Sequence, residues 1–92
     1  MRITAEISLY PLQREYLPKI ETFIREIHRA SGLEVRVNQM STQLRGELGD
    51  VVAALGDALA ASFDDGSPQV LVAKFLNADL PIAEMPEVDL LD

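Results

Sequence analysis

The stretch "LEVRVNQMSTQLRGEL" (Leu33–Leu48) decides the fold. Leu33, Val35 and Val37 alternate with Glu34, Arg36 and Asn38, the period of two that marks a half-buried strand. "NQMS" (Asn38–Ser41) reads as a connection and "STQLR" (Ser41–Arg45) as a short third strand, so two strands form a hairpin here. The connection is not an Asn-Gly turn, and its exact geometry stays open.

Working outward, helical patterns flank the hairpin. Upstream, Tyr16, Ile20, Phe23, Ile24 and Ile27 recur at helical spacing, with Lys19, Glu21, Arg25 and Arg29 turned away. Pro18 fits near the start of that helix, and Ser31-Gly32 gives a glycine stop. Downstream, Gly46 and Gly49 punctuate the way into a second helix with Asp50 near its positive N-terminal end. Its expected buried stripe is Val51, Val52, Leu55, Leu59 and Phe63, and its alanines permit close packing. Beyond each helix lies one more strand. Ile3, Ala5, Ile7 and Leu9 alternate with Thr4, Glu6, Ser8 and Tyr10 until Pro11 ends the run. After the turn "DDGSP" (Asp64–Pro68), Val70, Val72 and Lys74 alternate with Leu71, Ala73 and Phe75.

The order strand, helix, strand, strand, helix, strand predicts an α+β, ferredoxin-like βαββαβ sandwich: a four-stranded antiparallel sheet with two helices on one face. Residues 1–77 make the folded domain. Thr4, Glu6, Ser8 and Tyr10 are expected on the opposite, uncovered face, which invites a ligand or a partner subunit. Residues 78–92 form an acidic tail whose Leu80, Ile82, Met85, Val88, Leu90 and Leu91 are too apolar for a solvated extension. It is expected to pack on its own or a neighbouring subunit.

Composition closes several function classes. The 92 residues contain no cysteine, which excludes disulfide scaffolds, iron–sulfur clusters, thiolate zinc sites and cysteine nucleophiles. A formal charge of −7 argues against nucleic acid, whose binding rests on Lys and Arg neutralising phosphates. No apolar run is long enough to cross a bilayer, and "MRITAEISLY" lacks the apolar core of a signal peptide, so a cytoplasmic protein is expected. His28, the one histidine, lies on the first helix and has no nucleophile elbow to serve. No spacing of oxygen ligands suggests a metal site.

The most chemically pointed residues cluster at strand ends. Ser8, Tyr10, Asn38, Ser41, Thr42 and Gln43 supply hydrogen-bonding groups, while Tyr10, Leu12 and Met40 supply apolar walls. Small-ligand pockets combine these two kinds of surface. Glu6 is a carboxylate suited to accept from an amine if it faces such a pocket; otherwise it is solvated or paired with Arg36 or Arg45.

"ISLYPL" (Ile7–Leu12), followed by a helix and then "MSTQLRGEL" (Met40–Leu48), resembles the YKOF-type thiamine/hydroxymethylpyrimidine-binding domain and the wider thiamine-binding protein family. The resemblance spans Ile3 to Phe75. It implies non-catalytic binding of thiamine or its hydroxymethylpyrimidine part, without a cofactor. It also implies assembly into homodimers or tetramers through sheet faces or edges. By motif, Ser8, Tyr10 and Pro11 match the first signature and Ser41, Thr42 and Gly46 the second. Ser8, Ser41 and Thr42 are then expected to hydrogen-bond the pyrimidine, with Tyr10 as a wall; Met40 as a second wall, and Asn38 and Glu6 as further contacts, come from the reading of the residues, and Glu6 is not a motif position. One difference stands out: the YKOF type carries two tandem copies and this chain one, so a homodimer would restore the pair. The rival readings are a cofactor-free enzyme of the same fold with His28 as base, and a purely structural oligomerisation module.

Overall fold

The computed structural model of the protein describes residues 1–30 and 32–86. Ser31 of the expected helix stop, and Val88, Leu90 and Leu91 of the tail, lie outside the described residues. The elements are β1 (Arg2–Pro11), α1 (Leu17–His28), β2 (Glu34–Val37), β3 (Thr42–Glu47), α2 (Leu48–Phe63) and β4 (Gln69–Leu76). All strand pairs are antiparallel and the spatial order is β2-β3-β1-β4. This is the βαββαβ arrangement that the alternating patterns predict.

β1 occupies the centre because both of its edges are used. Ile3 pairs with Gly46, Ala5 with Leu44 and Ile7 with Thr42 on one side. Ala5 pairs with Phe75, Ile7 with Ala73 and Leu9 with Leu71 on the other. Partners in register share a face. Ile3, Ala5, Ile7, Leu9 and Leu44 therefore form one apolar surface, and Phe23 and Ile27 of α1 with Val51, Leu55 and Ala58 of α2 close over it. Each large side chain sealed in this layer contributes about 1.5–3 kcal/mol.

α1 begins with Pro18 in its first turn, where a missing N–H costs little. It ends before Gly32, whose φ of +81° suits glycine. The expected stripe of α2 needs correction. Val51, Ala54, Leu55, Ala58 and Ser62 are its buried residues, while Val52 and Phe63 are exposed. The helix turns Ala54 and Ala58 inward because small side chains let it approach α1 and the sheet closely; a phenylalanine at that distance would hold them apart. Gly46, read as a punctuation between strand and helix, instead lies inside β3. A Cβ there would stand 2.7 Å from Leu33 Cδ2 and 3.0 Å from the carbonyl oxygen of Gly32, so the backbone approach requires glycine.

The face away from the helices is only half open, which corrects the expectation for Thr4. Thr4 is 7% exposed because residues 77–86 cross above it. Its Oγ1 donates to the carbonyl of Ala78 at 2.8 Å and accepts from Leu80 N–H at 2.9 Å. Asp79 accepts from Arg45 Nε at 2.7 Å and Arg2 Nε at 3.2 Å, and Ile82 is buried. The Arg45 hydrogen bond holds the Asp79 carboxyl below the usual carboxylate range, and Asp79 in turn raises the Arg45 guanidinium. The uncovered half presents Ser8, Tyr10, Val70, Val72 and Lys74. Among the described residues, no helix is long and apolar enough to cross a membrane.

Candidate functional site

A mismatch in strand length creates the site. β1 pairs with β3 only as far as Ile7 opposite Thr42, yet it continues beside β4 to Pro11 opposite Gln69. From Ser8 onward, the β3-side edge of β1 has no strand next to it among the described residues. The β2–β3 connection turns back at this level, with Asn38 N–H donating to the carbonyl of Ser41 at 2.8 Å. The first half of α1 passes over the gap. Together they enclose a cavity of about 540 Å³, inside the range of roughly 300–1,000 Å³ typical of small-ligand sites.

The apolar interior comes from both layers. Ile7 and Leu9 of β1 and Phe23 of α1 lie at its base, and Ile20 and Ile24 of α1, with Tyr16 just before the helix, form a wall. Ile20 and Ile24 are only half-buried because they cover this hollow and not the sheet. Ser8, Tyr10, Asn38, Met40, Ser41 and Thr42, six of the seven residues expected at the site, border the same cavity. Tyr10 and Met40 are exposed, at 53% and 89%, and stand at the mouth. Thr42 is 6% exposed and lies on the helix side of the sheet, in register with Ile7.

The polar groups are held by specific bonds. Ser8 Oγ donates to the carbonyl of Met40 at 3.2 Å, fastening the hairpin turn to β1. Ser41 Oγ donates to Glu6 Oε2 at 3.2 Å. Glu6 itself does not line the cavity. It lies behind Ser41 on the open face, with Lys74 Nζ 3.4 Å from its other oxygen. Neither Arg36 nor Arg45 takes it: Arg36 donates to the carbonyl of Ala83, and Arg45 engages Glu34 and Asp79. No charged side chain borders the cavity among the described residues. An anionic group would find no cation there, whereas a neutral aromatic heterocycle meets apolar walls and a few directed polar atoms.

The α1 wall was absent from the site as read from sequence. Tyr16, Ile20, Phe23 and Ile24 carry the same apolar signal whether they cover a strand or a hollow, so only the shortness of "STQLR" hinted at the gap. Gln43 is in register with Glu6 and faces the opposite side of the sheet. There it borders a second hollow of about 600 Å³, between β2, β3 and the crossing tail. His28 is exposed at the far end of α1 and touches neither hollow. Among the described residues no group of three or more His, Cys, Asp or Glu could hold a metal ion.

A family model described as thiamine-binding protein matches residues 5–74, which include every residue of the cavity. The fold matches the hypothetical protein MJ1052 of Methanocaldococcus jannascii with a TM-score of 0.75 at 24% identity, covering 85% of this chain and 81% of that one. Protein SP2199 of Streptococcus pneumoniae matches with a TM-score of 0.77 at 18% identity, over 90% and 92% of the two chains. A candidate thiamine biosynthesis/salvage protein of Thermotoga maritima (TM0486) matches with a TM-score of 0.73 at 17% identity, over 94% and 90%. At these identities the likeness shows a shared fold. No curated protein sequence matches the chain.

Proposed function

This chain belongs to the thiamine-binding protein family, and we propose that it binds thiamine or its hydroxymethylpyrimidine moiety in the cavity between β1, α1 and the β2–β3 hairpin. One observation carries the reading: within the matched span, an uncharged apolar hollow of about 540 Å³ has Ser8, Asn38, Ser41 and Thr42 at its border. A pyrimidine ring packs against Tyr10, Met40 and the α1 wall, and its nitrogens meet the hydroxyls. The thiazolium cation projects toward the mouth, where the protein's net negative charge favours it.

We read the role as binding without turnover, in which the protein sequesters or delivers the ligand in the cytoplasm. The cavity hydroxyls have no histidine beside them to act as base, since His28 lies elsewhere. The likeness to a candidate thiamine biosynthesis/salvage protein supports a thiamine-related role. We also propose that the chain works as a homo-oligomer. Val70 and Val72 are each nearly half exposed on the uncovered part of the sheet, on an edge strand that a second copy would cover.

Isothermal titration with thiamine and with hydroxymethylpyrimidine tests the reading, alongside a Ser41→Ala/Thr42→Ala variant. The expected result is saturable binding at one site per chain that the double variant loses. No heat from either compound at high micromolar concentration would overturn it.

A further inference from the structure

Both serines at the cavity have already spent their hydrogens. A serine hydroxyl carries one hydrogen and two lone pairs. Ser8 Oγ lies 3.2 Å from the Met40 carbonyl oxygen, which can only accept, so its hydrogen points there. Ser41 Oγ lies 3.2 Å from a Glu6 carboxylate oxygen, and its hydrogen is committed in the same way. What these hydroxyls turn toward the hollow is lone pairs. Thr42 differs, since its hydroxyl makes no side-chain hydrogen bond among the described residues and keeps a hydrogen to give.

We infer that the cavity selects ligands bearing an exocyclic amine beside a ring nitrogen, and that Glu6 enforces this by holding Ser41 as an acceptor. This rests on the thiamine reading and sharpens it. A 4-aminopyrimidine offers an N–H donor next to a bare ring nitrogen. Ser41 and Ser8 accept from the amine, and Thr42 donates to the ring. The 4-oxo analogue reverses both signs, with a carbonyl facing lone pairs and a ring N–H where an acceptor should be. Neither serine can turn to accommodate it without breaking its bond to Met40 or Glu6. Glu6 is thus a positioning residue: it touches Ser41 and not the cavity.

The test compares thiamine with oxythiamine, in which an oxo group replaces the pyrimidine amine, by titration calorimetry. Wild-type protein is expected to bind oxythiamine roughly ten- to hundredfold more weakly, the cost of mispaired groups in a site built for hydrogen bonding. Glu6→Gln is expected to narrow that ratio to about threefold or less, because an amide can donate to Ser41 and release its hydrogen toward the ligand. Ser41→Ala should lose the preference as well. Lys74→Ala, which removes the other partner of Glu6, should keep it. Circular dichroism checks that each variant is folded. Equal wild-type affinities for the two compounds would overturn the inference while leaving thiamine binding intact. An unchanged ratio in Glu6→Gln would remove Glu6 from the mechanism. Failure of both compounds to bind would overturn the thiamine reading and this inference together.

Discussion

Ser8 and Thr42 lie on opposite faces of the sheet yet border one cavity. Thr42 is in register with Ile7 and shares its helix-side face, so Ser8, the next residue along β1, points the other way. Both reach the hollow because the sheet stops between them. Their hydroxyls therefore contribute differently. Thr42→Val keeps the buried shape and replaces the hydroxyl with a methyl group. It should leave the stability within about 1 kcal/mol of wild type while weakening thiamine about five- to tenfold. Calorimetry with a parallel melt checks this; a large loss of stability would show that the hydroxyl supports the fold and not the ligand.

The segment crossing the open face should release in acid. Asp79 is held below its ordinary pKa, first by the Arg45 hydrogen bond. A carboxyl depressed in the folded state stabilises fully above its unfolded value, about 3.9, and loses that contribution as pH falls through the folded one. The crossing is therefore secure at neutral pH and weakens below about pH 4. Asp79→Asn should already expose the Leu80 amide at pH 7, since that N–H is protected by Thr4 on the same segment. Hydrogen exchange at Leu80 is the measurement. Asp65, depressed by Lys19 and by Ser67 at the other end of the domain, is the control whose loss should leave Leu80 unaffected.

Gly46→Ala should destabilise the fold by about 1–3 kcal/mol, the usual cost of overpacking. The Leu33 methyl can shift, but the Gly32 carbonyl oxygen, 3.0 Å from the added carbon, is backbone. Thermal unfolding would read a midpoint several degrees lower; an unchanged midpoint would mean that β2 moves freely against β3.

If a second copy covers the open half of the sheet, a charge there should separate the copies. Val72→Glu places a carboxylate in register with Ser8, on a surface where Val72 is 47% exposed. Sedimentation velocity is expected to give a smaller species than wild type. Equal sizes would mean that this face is not the contact.

Much of this architecture is legible in the sequence where side chains alternate cleanly. Ile3-Ala5-Ile7-Leu9 and Leu33-Val35-Val37 leave little choice of face, and Pro18 and Gly32 bracket α1. α2 was less legible because alanine is equally at home on either side of a helix, so Val52 and Phe63 outweighed Ala54 and Ala58 in the reading. The landing place of Asp79 on Arg45 and Arg2 was not legible at all. It depends on pairing across 34 and 77 positions of chain, and local pattern does not encode it. The residues bordering the cavity from β1 and the hairpin could be read because Ser8 and Thr42 are polar positions in otherwise apolar strands and Asn38 to Ser41 form the connection between two strands. Tyr16, Ile20 and Ile24 could not, because a helix stripe looks the same over a strand as over a ligand.

The hairpin between β2 and β3 is in effect a counter. Two residues inserted into it would let β3 climb beside Ser8 and Tyr10, filling the hollow with backbone while preserving every face. A single inserted residue would be absorbed in the loop, because turning Thr42 to the other face would also turn Leu44, fully buried opposite Ala5, out of the core. The capacity of the site is thus governed by the length of one short loop, while the polarity of its rim is fixed by the core residue two places further along β3.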